Sequence, residues 1–174
     1  MSRITMVVAF IAFVGGASQA QVGLIRNPSF ETGQDGRPSG WELTQEPGYW
    51  ERPGHTGERC ISVEGPQAAQ NNSWGQGGIA VEPFTTYRFS FWARTSEGAH
   101  GGSYVSGPDF CNRDGNVGDS WQRQSHVFVT MPQQRDIFVR VGHWQKVGKL
   151  YFDDVAVTPV VPVHRSFEGL VLGD

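Results

Sequence analysis

Six tryptophans in a chain of 174 residues pose the first question, because indole is too large for six copies to share one small core. They stand at Trp41, Trp50, Trp74, Trp92, Trp121 and Trp144. An indole left on a surface presents a flat apolar ring and one N–H donor, which suits a ligand with both C–H and hydroxyl faces. In an exported β-rich chain a sugar is the leading ligand of that kind. Trp92, Trp144, Trp74 (flanked by Asn71, Asn72 and Gln76) and Trp50 are the candidates for such contacts, whereas Trp41 and Trp121 read as packing residues.

Two arginines share phase with two of these indoles. In the run Thr86–Thr95, Tyr87, Phe89, Phe91 and Ala93 alternate with Arg88, Ser90, Trp92 and Arg94, so one side is core and the other is polar with one indole. In Asp136–Trp144, Ile137, Val139 and Val141 oppose Phe138, Arg140, Gly142 and Trp144. If both mixed sides belong to one sheet, they make an aromatic and arginine surface, with Arg88 and Arg140 as donors to sugar hydroxyls.

Other chemistry has little support in the residue pattern. The five histidines (His55, His100, His126, His143 and His164) show no HxxxH or HxH spacing, and no G-x-S-x-G elbow occurs. Asp153 and Asp154 interrupt the apolar strand Leu150–Val157, so at least one turns toward the interior or a sheet edge. A carboxylate there needs a cation or a charge partner; calcium and an arginine are both open. Cys60 and Cys111 fit a single disulfide in an oxidising compartment, the other reading being a buried thiol and an incidental one.

The elements that must position these residues are short strands. Residues 1–20 carry Arg3, an apolar run and Ser18-Gln19-Ala20, the pattern of a cleaved export signal, too short to span a bilayer. The mature chain then starts near Gln21, and no later segment is apolar enough to cross a membrane. Its formal net charge of -3 for the whole chain offers no basic stripe for nucleic acid. Strands are expected at Val22–Ile25, after Trp41, at Cys60–Glu64, Ile79–Val81, Thr86–Thr95, Gln124–Thr130, Asp136–Trp144 and Leu150–Thr158. The glycine-rich Ser96–Ser120 segment reads as loop or a poorly patterned strand. No helical period persists, so the expected fold is all-β: a two-sheet antiparallel sandwich over 21–158. Residues 159–174 read as a Pro/Val linker and tail, either docked on the sandwich or opening a further domain.

In order along the chain, Asn27-Pro28-Ser29-Phe30-Glu31, Pro38-Ser39-Gly40-Trp41, His55-Thr56-Gly57-Glu58-Arg59, Pro83–Arg94 and Leu150–Val157 form a recognisable series. Over residues 22–158 the chain resembles the calcium-binding jelly-roll carbohydrate-binding modules found beside cellulases, xylanases and laminarinases. That resemblance implies a galactose-binding-domain-like sandwich with a structural calcium. Its ligands would be Glu31, Asp154 and a backbone carbonyl near Arg59. It also implies a binding cleft across the concave sheet. The glycine-rich segment around Cys111 departs from the family's pattern. The expected function is a secreted, non-catalytic module that holds polysaccharide for an attached or associated glycoside hydrolase. A structural or adhesion module of the same fold is the alternative, and a hydrolase in its own right the third reading.

Overall fold

The computed structural model describes residues 23–66 and 70–160. The export signal expected at 1–20 and the tail beyond Val160 lie outside the described residues. Twelve strands follow in order: β1 (Gly33–Gln34), β2 (Arg37–Pro38), β3 (Glu42–Leu43), β4 (Gly48–Glu51), β5 (Cys60–Gly65), β6 (Asn71–Ala80), β7 (Thr86–Thr95), β8 (Ser103–Pro108), β9 (Arg113–Gly115), β10 (Gln122–Val129), β11 (Asp136–Trp144) and β12 (Gly148–Pro159).

These strands make two five-stranded antiparallel sheets. The first has the order β10-β7-β12-β5-β4 and the second β3-β6-β11-β8-β9, with β1-β2 a separate small ribbon. Neighbours in both sheets are mostly distant in sequence, as a jelly roll requires, and the expected sandwich is what forms.

Period-two alternation builds the core. Tyr87, Phe89, Phe91 and Ala93 from the first sheet meet Ile137, Val139 and Val141 from the second, with Ile61, Phe152, Val155 and Val157 completing the first sheet's inner face. Phe91 packs at 5.8 Å from Phe152 and edge-on at 5.4 Å from Tyr104, an arrangement aromatic quadrupoles favour.

Three elements differ from the sequence expectation. Residues 23–25 form no strand, although Ile25 is buried and the Leu24 amide donates to the Val157 carbonyl. The glycine-rich segment contains two real strands, β8 and β9, with Gly107 in the left-handed region at φ 105°. Most of β6 was unforeseen, because its outward positions are Ser73, Gly75 and Gly77, which carry no apolar alternation.

The expected disulfide does not form: Cys60 and Cys111 are both free. Cys60 sits in β5, its thiol against the Pro53 carbonyl, while the turn holding Cys111 packs through Phe110 on Phe128 of β10. Between β5 and β10 lie β12 and β7, so the two elements are three strand spacings apart, roughly 14 Å. That is about twice the reach of a disulfide.

Candidate functional site

Sheet membership divides the residues expected to act together. Trp92 and Arg88 lie on β7 in the first sheet, and Trp144 and Arg140 lie on β11 in the second. Each pair faces outward, so the two pairs are on opposite faces of the sandwich and cannot form one platform.

Trp74 is not on a surface either. It is 1% exposed in the core, its indole N–H donating to the Ser62 carbonyl across the sandwich at 2.9 Å. Its neighbours Asn72 and Gln76 point inward with it, which is why the polar flanks misled. Trp50 is half-buried, its N–H on the Phe30 carbonyl and the Arg59 guanidinium 4.2 Å above its ring. Trp41 is buried against Phe30, as a packing residue should be.

Trp92 is roofed. The loop between β4 and β5 lays His55 flat on the indole, ring centroids 3.8 Å apart, and Trp121 meets His55 edge-on at 5.7 Å. A β-bulge in β12 makes this possible. Asp153 pairs opposite Trp92, Asp154 takes φ 50°, and the register resumes at Ala156. The extra residue turns both carboxylates to the same loop, which simple alternation would not allow.

Asp153 is fully buried, and its carboxylate accepts the backbone amides of His55, Thr56 and Asp154. Burial first, and then the neighbouring Asp154 charge, push its pKa up to about 7. Burial also acts to raise Asp154, but hydrogen bonds from Thr56, His55 and Ser29 outweigh it and hold that carboxyl below its usual range. Glu31 accepts the amides of Glu58 and Arg59 from the same loop.

The donors here suit a hard cation. The carbonyl oxygens of Arg59 and Thr56 and Asp153 Oδ2 lie 2.3, 2.6 and 2.9 Å from the point where a Cβ on Gly54 would stand. That glycine keeps open a small cradle whose nearest atoms are all oxygen, the ligand type calcium takes. Among the described residues no group of three or more His, Cys, Asp or Glu side chains is arranged for a metal, and two of the three oxygens at this cradle are backbone carbonyls. Both aspartates already accept hydrogen bonds at both oxygens, Asp153 from backbone amides and Asp154 from side chains, and Asp153 Oδ2 is the carboxylate oxygen beside Gly54.

The outer face of the second sheet is built differently. Along β11 the outward row is Phe138, Arg140, Gly142 and Trp144, and opposite it β6 supplies Ser73 and Gly75. Beside this row β8 contributes Val105 and Gly107. Small residues therefore predominate between the large ones, and two separate open troughs lie along this side, one reaching β6 at Ser73 and the other at Gly75. One is bounded by Thr44, Asn71, Arg140 and Trp144; the other by Arg26, Glu42 and Phe138.

Trp144 is 50% exposed at the end of the first trough, and no other tryptophan of the described residues is among the exposed large hydrophobic side chains. The Phe138 ring lies down over Gly75, since a Cβ there would meet the ring at 2.2 Å. Sequence reasoning placed Phe138 on this side without assigning it a role, and it missed Asn71, Ser73 and Gly75 as site residues. The signal available was the alternation of Ser73, Gly75 and Gly77 with Asn72, Trp74 and Gln76, a strand pattern of small outside and large inside.

Residues 22–107 match the family model described as a carbohydrate binding domain. Among curated proteins, none matches the chain by sequence. A CBM61 module solved with β-1,4-galactotriose is similar at 18% identity and a TM-score of 0.58, over 80% of this chain and 99% of its own. The CBM22-1-GH10 modules of Clostridium thermocellum xylanase 10B, complexed with xylohexaose, are similar at 16% identity and a TM-score of 0.57, over 80% of this chain and 29% of that one. The enzymatically active domain of bacteriophage CBA120 tailspike protein 4 reaches a TM-score of 0.61 at 16% identity, over 79% of this chain but only 21% of the tailspike chain. At such identities the structural likeness concerns the fold. The chain thus shares its jelly-roll fold with carbohydrate-binding modules, and residues 22–107 are similar in sequence to a carbohydrate binding domain.

Proposed function

We propose that this chain is a secreted, non-catalytic module that holds a polysaccharide along the outer face of the second sheet. The observation that carries this reading is Trp144, half-exposed beside an open trough lined by Asn71, Ser73 and Arg140, with Gly142 opposite Ser73 in the sheet. Small residues there let a sugar chain lie close to the sheet, and an indole at the edge stacks on its C–H patches. Asn71 and Arg140 supply directional partners for hydroxyls. The galactotriose and xylohexaose complexes of the similar modules support a β-linked glycan as the ligand class. The attachment of one such module to a GH10 domain supports a glycoside hydrolase as the partner. Tethering would then raise the enzyme's effective concentration on polysaccharide without new contacts to the enzyme.

Calcium belongs to the other side of the sandwich in this reading. Asp153 and the carbonyls of Thr56 and Arg59 would hold it, with Glu31 bracing the loop through its amides. Its effect is on stability and not on glycan contact, because the loop roofs Trp92 on the face opposite the troughs.

Affinity electrophoresis against galactan, xylan and mixed-linkage glucan tests the glycan assignment. The wild type should be retarded by at least one of them. Trp144→Ala should lose about 2 kcal/mol of that affinity, as truncation of a central aromatic typically does, while its melting temperature stays unchanged. A wild type that binds no glycan overturns the proposal, and so does a Trp144→Ala protein that binds as well as the wild type.

A further inference from the structure

Arg140 occupies the middle of the outward row of β11, and its charge is unanswered. Its Nε is buried with no hydrogen-bond partner, and its Nη2 donates to one neutral acceptor, Asn112 Oδ1, at 3.3 Å. No carboxylate of the described residues forms an ion pair with it. The other partly buried cation in a comparable position, Lys149 on the first sheet, has Glu51 at 2.8 Å. A partly desolvated cation without a counter-charge is unfavourable unless something supplies one.

The surroundings leave room for a ligand to supply it. In register, Arg140 is flanked by Gly75 on β6 and Gly107 on β8, so its covers are the Phe138 ring over Gly75 and the neutral Asn112, neither of which carries a charge. Arg140 and Trp144 line the same trough, their Cα positions four residues apart on one strand, about 13 Å. No acidic side chain lines that trough. The nearest acid on the same row is Glu42, which pairs with Gly75 from the far side, two strands and roughly 10 Å from Arg140.

Building on the glycan reading above, we propose that the trough selects a carboxylate-bearing polysaccharide, a uronate-containing glycan, with Arg140 as the counter-ion to its carboxylate and Trp144 stacking on a sugar further along the chain. A guanidinium pairs with a planar carboxylate through charge-assisted hydrogen bonds, about twice as strong as those to a neutral hydroxyl. A densely sulfated polyanion fits less well. The chain itself carries a formal net charge of -3, and Glu42 stands on the same row, so a charge density below that of a sulfated polymer is favoured, and among uronate polymers the sparsely charged glucuronoxylan is favoured over polygalacturonate and alginate.

The test uses the full chain and paired probes. Polygalacturonate, alginate and glucuronoxylan are each compared with their own carboxyl-reduced form, with dextran sulfate alongside, at fixed ionic strength. At least one uronate polymer should bind about tenfold or more tighter than its reduced partner. Arg140→Met should abolish that difference, Arg140→Lys should keep part of it, and Arg123→Gln, which removes one charge from the opposite sheet, should leave it intact. Arg140→Lys also guards against misfolding of the Met variant. Equal binding of native and carboxyl-reduced polymers overturns this inference while leaving the glycan-binding reading standing. Retention by dextran sulfate alone likewise overturns the carboxylate assignment. A wild type that binds none of these polymers, nor any neutral one, overturns the glycan reading itself.

Discussion

The two outer faces of this sandwich are made from similar residues and put to different ends. On the first sheet many of the large outward groups are paired with one another, although Arg88 and Arg123 stand exposed. Lys149 bonds Glu51 and lies 4.2 Å over Tyr49, Arg94 sits 3.9 Å over Tyr151, Tyr49 bonds Glu64, and Trp92 lies beneath His55. On the second sheet Trp144 is open, Arg140 has one neutral partner, and the positions between them are glycine and serine. A face whose charges and rings are largely satisfied by one another has little left to offer a ligand. A face that leaves an indole and a guanidinium unsatisfied over small residues is the one the proposed function assigns to the glycan. Residue type alone does not separate the two, because Trp92 and Trp144 are both outward on strands with apolar inner sides.

The largest test of the contrast compares indoles. Trp74→Ala removes a 1%-exposed side chain and orphans its hydrogen bond to Ser62, so a loss of about 3–5 kcal/mol in unfolding free energy is expected by denaturant titration. Trp144→Ala should change stability by no more than about 0.5 kcal/mol, the usual range for a surface site. Similar stability losses for the two would mean that Trp144 packs in the folded protein and that the open face is not open.

Next in size is the cradle under the first face. Binding to the native state alone stabilises by about 2.7 kcal/mol when free calcium is a hundred times its dissociation constant. Chelator should therefore lower the melting temperature of the wild type and leave Asp153→Ala unaffected. Asp154→Asn should still respond, because the carboxylate oxygen beside the cradle is Asp153 Oδ2. A metal-free wild type whose melting temperature is indifferent to added calcium would remove the ion from the account. A response lost in Asp154→Asn but kept in Asp153→Ala would reverse the roles of the two acids.

How much of this was legible in the sequence depended on whether a residue's fate is local. The inner faces of β7 and β11 followed from alternation, and each core residue named there is buried. Sheet membership did not, since nothing in Thr86–Thr95 or Asp136–Trp144 encodes that β7 pairs with β12 and β10 while β11 pairs with β6 and β8. That non-local fact separated Trp92 from Trp144. The bulge at Asp154 was hidden for a related reason: two adjacent acids should face opposite ways, and only a left-handed residue lets both reach one loop. Strand β6 was hidden because its outward positions, Ser73, Gly75 and Gly77, show none of the apolar pattern that marks a strand.

The smallest expected effect concerns the thiols. A bridge closing the loop from Cys60 to Cys111 would stabilise by about 4 kcal/mol, so a reductant would depress the melting temperature if one existed. With both cysteines free and their elements three strands apart, adding reductant should leave the melting temperature unchanged. The two thiols should also differ in reactivity. Burial, reinforced by the Asp153 charge, pushes Cys60 up to about 12, so at pH 8 it is un-ionised and reacts only as fast as the protein opens. Cys111 is partly exposed; burial, with a smaller push from Asp109 against the pull of Arg113, raises its thiol, so it should label in the folded state, more slowly than a free thiol. Because the folded pKa of Cys60 lies above its unfolded value, its contribution to stability is whole below about pH 9. It is lost toward pH 12 at no more than about 1.4 kcal/mol per unit, and Cys60→Ala should lack that part of the alkaline slope. Two thiols titrating in denaturant without reductant, one of them in the native protein, is the expected count. A count of zero before reduction would restore the bridge and require β5 and the Cys111 turn to lie side by side.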